Sequence, residues 1–154
     1  MIKFIIALEA DAEILRDIAI SAFEEDKIKY GSMPPDIETI EWHLSKIKNG
    51  MYYKIMIDDK IVGAINLYDL KNNHFRLGAV YIDPTYQNQG IGAKAIDFIE
   101  NTYPHITKWS LDTPYKNYKN HKFYEKHGYV KVEEVKPVDN IDFWLFEYVK
   151  EIKK

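Results

Sequence analysis

The sequence predicts a mixed α+β protein in which helices cover the faces of a mixed β-sheet. Three observations predict this class: seven segments are rich in β-branched and aromatic residues, four repeat apolar residues at helical spacing, and the two kinds do not alternate regularly. The predicted order is one strand, two helices, three strands, one helix, one strand, one helix and two strands. This order disfavours a doubly wound sheet, which needs a regular alternation.

The first third of the chain predicts one strand followed by two helices. Ile2–Ile6 is β-branched and aromatic, whereas residues 11–26 place apolar side chains three and four positions apart. A loop with two prolines, residues 31–35, separates this helix from the second one. Asp36 can cap the second helix, and Gly50 lies just past its end.

The middle of the chain predicts three antiparallel strands joined by tight turns. Tyr52–Ile57 and residues 60–70 are separated by the turn-favouring Asp-Asp pair 58–59. A second polar turn, residues 71–73, leads to a strand over His74–Ile82. Together these strands predict a meander.

The remaining part of the chain predicts two helices and three strands. Helical spacing returns over residues 92–102, ahead of a strand at residues 108–113. A further helix runs from about residue 115 to residue 127, and strands at residues 129–135 and 141–149 complete the pattern.

Length and composition are those of one soluble globular domain. The 154 residues fall within the ~100 to 200 residues of a typical domain, so we expect residues 1–154 to form a single one. The 46% hydrophobic and 29% charged residues are ordinary for this class. The absence of cysteine excludes disulfides, zinc-thiolate sites and a thiol nucleophile. A net charge of −3 argues against nucleic acid as a partner, because phosphate backbones are bound by positive charge.

Other patterns bear on location and ligand. The apolar run at residues 4–8 is far shorter than the ~18 to 20 residues of a membrane-spanning helix, so we expect a cytoplasmic protein without membrane contact. The five histidines lack ligand spacing, and we expect no metal. Residues 1–26 carry seven acidic and two basic side chains, whereas residues 94–131 carry seven basic and four acidic ones. The later segment would suit an anionic ligand.

The most informative loop lies between the third meander strand and the next helix. Gly90 and Gly92 stand where the strand gives way to the helix, so backbone amides there can approach a ligand. The first turn of a helix favours an anion, and a phosphate or pyrophosphate would fit; a plain tight turn explains the glycines equally well. No Gly-Lys-Ser/Thr and no third glycine follow, which argues against a P-loop and against a dinucleotide fingerprint.

Two segments resemble signatures of the GNAT acetyltransferase superfamily. Residues 87–92, Gln-Asn-Gln-Gly-Ile-Gly, match Gln/Arg-x-x-Gly-x-Gly/Ala and follow the typical Val-x-Ile-Asp-Pro-x-Tyr of residues 80–86. Asn117, seven residues before Tyr124, opens a segment similar to the family's Asn…Tyr-Glu-Lys-x-Gly-Phe. The resemblance implies the acyl-CoA N-acyltransferase fold, with a central mixed, mostly antiparallel seven-stranded sheet flanked by about four helices.

The resemblance also implies a reaction and a cosubstrate. The protein would transfer an acetyl group from acetyl-CoA directly to a primary amine of a small molecule or of a peptide or protein. The loop backbone would bind the CoA pyrophosphate, the preceding strand would lie along the pantetheine, and Asn117 would contact the pantetheine or its phosphate end. The residues expected to bind the coenzyme are Val80, Tyr81, Ile82, Gln87, Asn88, Gln89, Gly90, Ile91, Gly92, Ala93 and Asn117. The lysines at positions 116, 119, 122 and 126 either add favourable charge there or form a solvated helix face.

The implied chemistry needs a proton acceptor and a proton donor. An alkylamine has a pKa of about 10.4 and must lose a proton before attack, and a phenol with a pKa of about 10 can protonate the departing thiolate. Tyr124, within the second signature, is the expected donor; the alternative is that it packs as one of twelve tyrosines. Asp112 is the candidate base or water relay, or else a turn residue near Pro114. The strand of residues 76–80 lacks the acidic residue that many relatives place there, which makes a water relay the expected route.

Acceptor identity is less constrained. The first two helices, the loop at residues 30–35 and the end of the sheet would set it, with five aromatic residues as candidates for a lining or a core role: Tyr30, Trp42, Tyr68, Tyr81 and Trp144. The acidic first segment either favours a cationic acceptor, such as a polyamine, an aminoglycoside or a lysine side chain, or is an ordinary solvated helix face. A non-catalytic acyl-CoA-binding or sensing module is the alternative function, and the last strand pair could support a homodimer.

Overall fold

A computed structural model describes residues 1–31 and 33–153, except for the side chain of Tyr30. Within these residues seven strands form one sheet and four helices pack on it. The strands are β1 (Ile2–Ile6), β2 (Tyr52–Ile57), β3 (Lys60–Asp69), β4 (His74–Ile82), β5 (Lys108–Pro114), β6 (Val130–Val135) and β7 (Leu145–Glu151). The helices are α1 (Ala12–Tyr30), α2 (Ile40–Lys48), α3 (Ile91–Thr102) and α4 (Tyr118–Lys126).

The sheet is mixed and mostly antiparallel. Its strand order is β1-β2-β3-β4-β5-β7-β6, and every neighbouring pair is antiparallel except β4 and β5. The predicted fold class is therefore confirmed. No helix in residues 1–31 and 33–153 combines the length and apolar character needed to cross a bilayer.

Each face of the sheet carries one pair of helices. On one face α1 and the turn before α2 bury Leu15 and Ile37 against Tyr52 and Tyr81 of the sheet. On the other face α3 and α4 join a larger core around Trp109. Burial of such large side chains stabilises the fold by roughly 25 cal/mol for each Å² removed from water.

A β-bulge interrupts β4 at Gly78. The register with β3 passes from Asn66–Ala79 to Leu67–Leu77, which leaves Gly78 without an opposing residue. Because a bulge adds one residue to a strand, side chains of equal spacing before and after it change face. Phe75 and Leu77 accordingly join the α3 core, whereas Ala79 and Tyr81 join the α1 core.

The strands β4 and β5 separate just beyond their first residues. They pair only where His74–Arg76 faces Lys108–Ser110. Bulges bend a strand and increase its twist, so the bulge two residues later accounts for the divergence. Among the described residues no strand lies beside the rest of β4 on this side, residues 77–82, and a cleft opens between β4 and β5.

The helix α1 runs four residues beyond its predicted end. The sequence pattern stopped at residue 26, but the next four residues contain no helix breaker, and the helix continues to Tyr30. Gly31 ends it with a φ of +75°, and its amide donates to the Lys27 carbonyl at 3.0 Å. This extension carries the end of α1 over the cleft.

The helix α2 begins later than predicted. Asp36 does not cap it, because Asp36 adopts a φ of +66° in a turn. The cap is Thr39, whose hydroxyl accepts a hydrogen bond from the Trp42 amide at 3.2 Å. Ile37, predicted on the helix face, is nevertheless fully buried from its place in the turn.

Two later boundaries were also wrong. The predicted last strand at residues 141–149 is β7 at Leu145–Glu151, and residues 136–144 form a loop. The helix α4 starts at Tyr118 rather than near residue 115, since Asn117 caps it. The other limits differ from prediction by at most one residue, which is within the normal uncertainty of element ends.

Candidate active site

Two cavities meet in the cleft between β4 and β5. The loop cavity, about 540 Å³, lies against residues 84–93 and α4. The bulge cavity, about 570 Å³, lies against β4 around Gly78 and against β5. Five residues line both cavities and define the junction: Phe23, Asp26, Val80, Asn120 and Tyr124.

The loop cavity is lined by backbone amides that lack partners. Amides from Asn88 to Ala93 donate to no acceptor in the described part of the chain. Asn88 and Gly90 both adopt the left-handed region, with φ of +64° and +79°, and no acidic residue stands in the first turn of α3. Such amides at a helix start form a site for an anion. The loop therefore combines the predicted tight turn with amides that can donate to an anion.

The two glycines of this loop have different roles. Gly90 needs its left-handed backbone, and the space around its missing Cβ is empty to 4 Å. A Cβ on Gly92 would lie 3.2 Å from Cζ of Phe123 on α4. Gly92 therefore allows α3 and α4 to approach each other beside the loop cavity.

The side chain of Gln87 anchors this loop to β4. Its Nε2 donates to the Ile82 carbonyl at 3.1 Å, and its own amide lies 3.4 Å from the Pro84 carbonyl. Gln87 and Ile82 both line the loop cavity. Gln89, predicted to bind the coenzyme with its neighbours, does not belong to the cavity lining.

The other β4 residues predicted for this site lie at the cavities, but the Tyr81 side chain points away from them. Val80 lines the junction, and Tyr81 lines the loop cavity. The Tyr81 ring points into the α1 core, where its hydroxyl bonds that of Tyr52 and donates to the Leu15 carbonyl at 3.3 Å. Tyr81 thus offers the cavity mainly its backbone.

The start of α4 closes the loop cavity from the opposite side. Asn117 is buried there, and its Oδ1 accepts a hydrogen bond from the Asn120 amide at 3.1 Å, which caps the helix. Lys119 donates to the Asn88 side-chain oxygen at 2.9 Å. Of the four lysines considered from sequence, Lys119 and Lys126 line the cavity and the other two do not.

Tyr124 presents a phenol at the junction. Its side chain is half-buried, and its hydroxyl makes no hydrogen bond within residues 1–31 and 33–153. Burial, assisted by the negative charge of Asp112, raises the pKa of Tyr124 to about 12. The phenol therefore keeps its proton at neutral pH and can donate it to a group in the cleft.

Asp112 lines the bulge cavity and belongs to an ion-pair cluster. Nη2 of Arg76 lies 3.0 Å from Asp112 and 2.7 Å from Glu147, and Nη1 of Arg76 bonds Glu147 again at 3.0 Å. Desolvation raises the pKa of Asp112; the Arg76 charge opposes this shift and the Glu147 charge adds to it. Asp112 thus remains a usable base although one of its oxygens faces Arg76.

Of the five aromatic candidates for an acceptor site, Tyr68 lines the bulge cavity. Trp42 packs edge-on against Tyr52 beside the buried Tyr81. Trp144 is outside both linings, and the Tyr30 side chain lies outside the described part of the chain.

Sequence reasoning missed several residues at the junction and around the bulge cavity. Phe23 and Asp26 reach the junction because this part of α1 packs over the cleft, and Asn120 reaches it from α4, where it donates to Thr113 Oγ1 at 3.2 Å. Residues 137–143 of the β6–β7 loop also contribute to the wall. A helical periodicity marks Asp26 only as a surface position, so no sequence signal identified it. Among the described residues, no group of three or more His, Asp or Glu is placed to hold a metal ion.

Together, the sheet order and the cleft define an α+β protein of the N-acyltransferase fold. The chain belongs to the acetyltransferase (GNAT) family, whose sequence model matches residues 13–129. This match confirms the resemblance drawn from the two signatures.

The individual proteins that this chain resembles match it over part of its length or at low sequence identity. The uncharacterized protein YrkN of Bacillus subtilis (strain 168) is 40% identical over 83 residues, which span 53% of this chain and only 45% of that protein. The PaiA N-acetyltransferase of Thermoplasma acidophilum, solved in complex with coenzyme A, superposes with a TM-score of 0.81 at 20% identity over 99% of each chain. The ribosomal-protein-S18-alanine N-acetyltransferase of Escherichia coli superposes with a TM-score of 0.80 at 14% identity, covering 100% of this chain and 96% of that one. At such identities the structures support the fold.

Proposed function

We propose that the protein is an acetyl-CoA-dependent N-acetyltransferase that acetylates a primary amine of a small molecule or peptide directly in a ternary complex. The observation that carries this proposal is the position of Tyr124. Its hydroxyl, which has no hydrogen-bond partner among the described residues, lies where a cavity suited to a diphosphate meets a second cavity of similar size.

The loop cavity fits the coenzyme. The free amides of residues 88–93 suit its diphosphate, and Lys119 and Lys126 add positive charge beside them. The open edge of β4 offers main-chain groups to the amides of the pantetheine arm, as a neighbouring strand would. Asn117, whose Oδ1 caps α4, can direct its amide nitrogen toward the same arm. When bound, acetyl-CoA supplies the thioester carbonyl that the amine attacks.

Tyr124 is the proposed general acid. Its proton stays on the hydroxyl up to high pH because the side chain is half-buried and near Asp112. In the proposed transfer the phenol gives this proton to the leaving thiolate, and the amine proton is taken up elsewhere.

Asp112 is the proposed acceptor of the amine proton, through a water molecule. Arg76 holds its carboxylate in the wall of the bulge cavity, and Asp112 does not line the loop cavity. A relay through water suits a carboxylate set back from the junction.

The same pairing with Arg76 weakens Asp112 as a base, which favours the second candidate function, a non-catalytic acyl-CoA-binding module.

Two measurements separate these functions. Calorimetric titration with acetyl-CoA tests binding, and release of free CoA thiol against a panel of amines tests transfer. We expect saturable binding and release that depends on the amine. Binding without release for any amine would support the module, and absence of binding would overturn both functions.

A further inference from the structure

We propose that the acceptor is a monoamine, with one positive charge on an apolar body, and that Asp26 is the carboxylate that binds its ammonium group. This inference rests on the proposed acetyl transfer. It concerns the bulge cavity, which the coenzyme leaves open for the second substrate.

The charged side chains around the bulge cavity bear on the choice of acceptor. Three charged side chains line it within the described part of the chain: Asp26, Arg76 and Asp112. Arg76 and Asp112 are already paired at 3.0 Å, and Glu147 binds Arg76 as well. Asp26 forms neither a hydrogen bond nor an ion pair among the described residues. One charge in the lining is therefore unpaired, and it is negative.

Asp26 lies at the junction, together with Tyr124. A group bound to Asp26 therefore lies where the two cavities meet. Burial and the neighbouring Glu25 raise the pKa of Asp26, whereas Lys29 on the same helix and Lys119 on α4 lower it. A carboxylate that has lost part of its hydration gains most from an ammonium partner. An amine held there would present its nitrogen beside the proposed general acid.

The walls of the bulge cavity bear on the uncharged part of the acceptor. Away from the junction they are mostly apolar and come from two loops and four strands, with Pro34, Tyr68, Val138, Ile141 and Phe143 among them. A volume of about 570 Å³ accommodates a small organic molecule. The walls favour an alkyl or aralkyl body over a polar one.

This lining also disfavours two other kinds of amine. A polyamine brings further ammonium groups, and no second unpaired carboxylate lines the cavity in the described residues. An amino acid brings a carboxylate, and the cation in the described lining, Arg76, is already bound by Asp112 and Glu147. Either substrate would bury a charge without a partner, which is costly.

A matched panel of amines tests the substrate class. We would measure CoA release with 2-phenylethylamine, with phenylalanine, which adds a carboxylate to the same body, and with spermidine. We expect kcat/KM for 2-phenylethylamine to exceed each of the others by about tenfold or more, as one unpaired charge costs at least that. Equal or better use of spermidine or phenylalanine would overturn the inference while leaving acetyl transfer intact. No release with any amine would instead overturn the proposed function, and the inference with it.

Variants test the role of Asp26. Asp26→Asn should raise KM for 2-phenylethylamine by about 10- to 100-fold and should not weaken acetyl-CoA binding by more than about twofold. Asp26→Glu should restore part of the loss, and Glu24→Gln, exposed on the same helix and outside both linings, should change neither value.

A neutral analogue separates charge recognition from folding. The alcohol 2-phenylethanol should inhibit the wild type and Asp26→Asn competitively with similar constants, because it lacks the ammonium group. An unchanged KM in Asp26→Asn, or an equal loss of amine and alcohol binding, would contradict the role of Asp26.

Discussion

At the scale of single residues, the proposed catalysis depends on the phenol of Tyr124. Tyr124→Phe removes the proton and keeps the ring, so we expect kcat to fall by about 10² to 10³-fold while the acetyl-CoA dissociation constant stays within about twofold. Steady-state kinetics and calorimetry measure the two effects. Tyr118→Phe, an exposed tyrosine on the same helix, is the matched control and should be silent. Full activity of Tyr124→Phe would remove this residue from the mechanism.

A second prediction at this scale concerns the ionisation of Asp112. Its raised pKa should place the acidic limb of the kcat/KM profile above the ordinary value of 3.8 for an aspartate. Glu147→Gln removes a negative neighbour, lowers the pKa of Asp112 and should move the limb to lower pH. Arg76→Gln removes a positive neighbour and should move it to higher pH. A limb that both variants leave in place would show that Asp112 is not the titrating base, and Glu133→Gln on β6 serves as the control.

At the scale of elements, the contact between α3 and α4 sets the width of the loop cavity. Gly92→Val should push Phe123, and with it Tyr124, whose ring centroid lies 5.1 Å from that of Phe123. Overpacking of this kind costs about 1 to 3 kcal/mol, so acetyl-CoA should bind about tenfold more weakly. Phe123→Ala in the same chain should relieve the clash, and a calorimetric double-mutant cycle should then be non-additive. Additive losses would contradict direct contact.

The elements also show how far the sequence could predict the structure. Periodicity located each strand and helix, and the two signatures located the amide-rich loop and Tyr124. The bulge at Gly78 has no periodic pattern, and the end of α1 depends on Gly31, five residues past the predicted end at residue 26. The charged partners of Asp112 come from β4 and β7, and Asp26 enters the cleft only by tertiary packing. Such juxtapositions arise from sheet order, which local patterns do not encode.

At the scale of the whole molecule, a buried, hydrogen-bonded histidine makes the stability of the fold depend on pH. His43 is fully buried; its Nδ1 bonds the Tyr52 hydroxyl at 2.9 Å, and its Nε2 donates to the Ile37 carbonyl at 2.8 Å. Burial lowers the pKa of His43 below 6.5, so the unfolded chain binds the proton more readily than the folded one. The stabilisation is complete above pH 6.5 and is lost as the pH falls through the lower folded-state value.

The expected result is a melting temperature that decreases between pH 7 and pH 5. Each kcal/mol lost lowers Tm by about 2 to 4 °C for a chain of this size. Circular-dichroism melts at several pH values measure it, and His43→Gln, which keeps hydrogen-bonding groups but cannot titrate here, should flatten the dependence. His74, whose pKa burial also lowers, leaves a residual slope. A slope unchanged in His43→Gln would assign the effect elsewhere.

The division of the cleft into two cavities has an evolutionary consequence. The loop cavity is built from an anchored turn, the helices α1, α3 and α4 and the end of β4, whereas much of the wall of the bulge cavity comes from irregular segments, residues 33–35 and 136–144. Irregular surface segments accept substitutions and length changes more readily than helices and strands do. Exchange of these two segments between homologues should therefore change which amine is accepted, while the affinity for the proposed acetyl donor stays the same. One scaffold could in this way acquire new acceptors during evolution without changes to its coenzyme site.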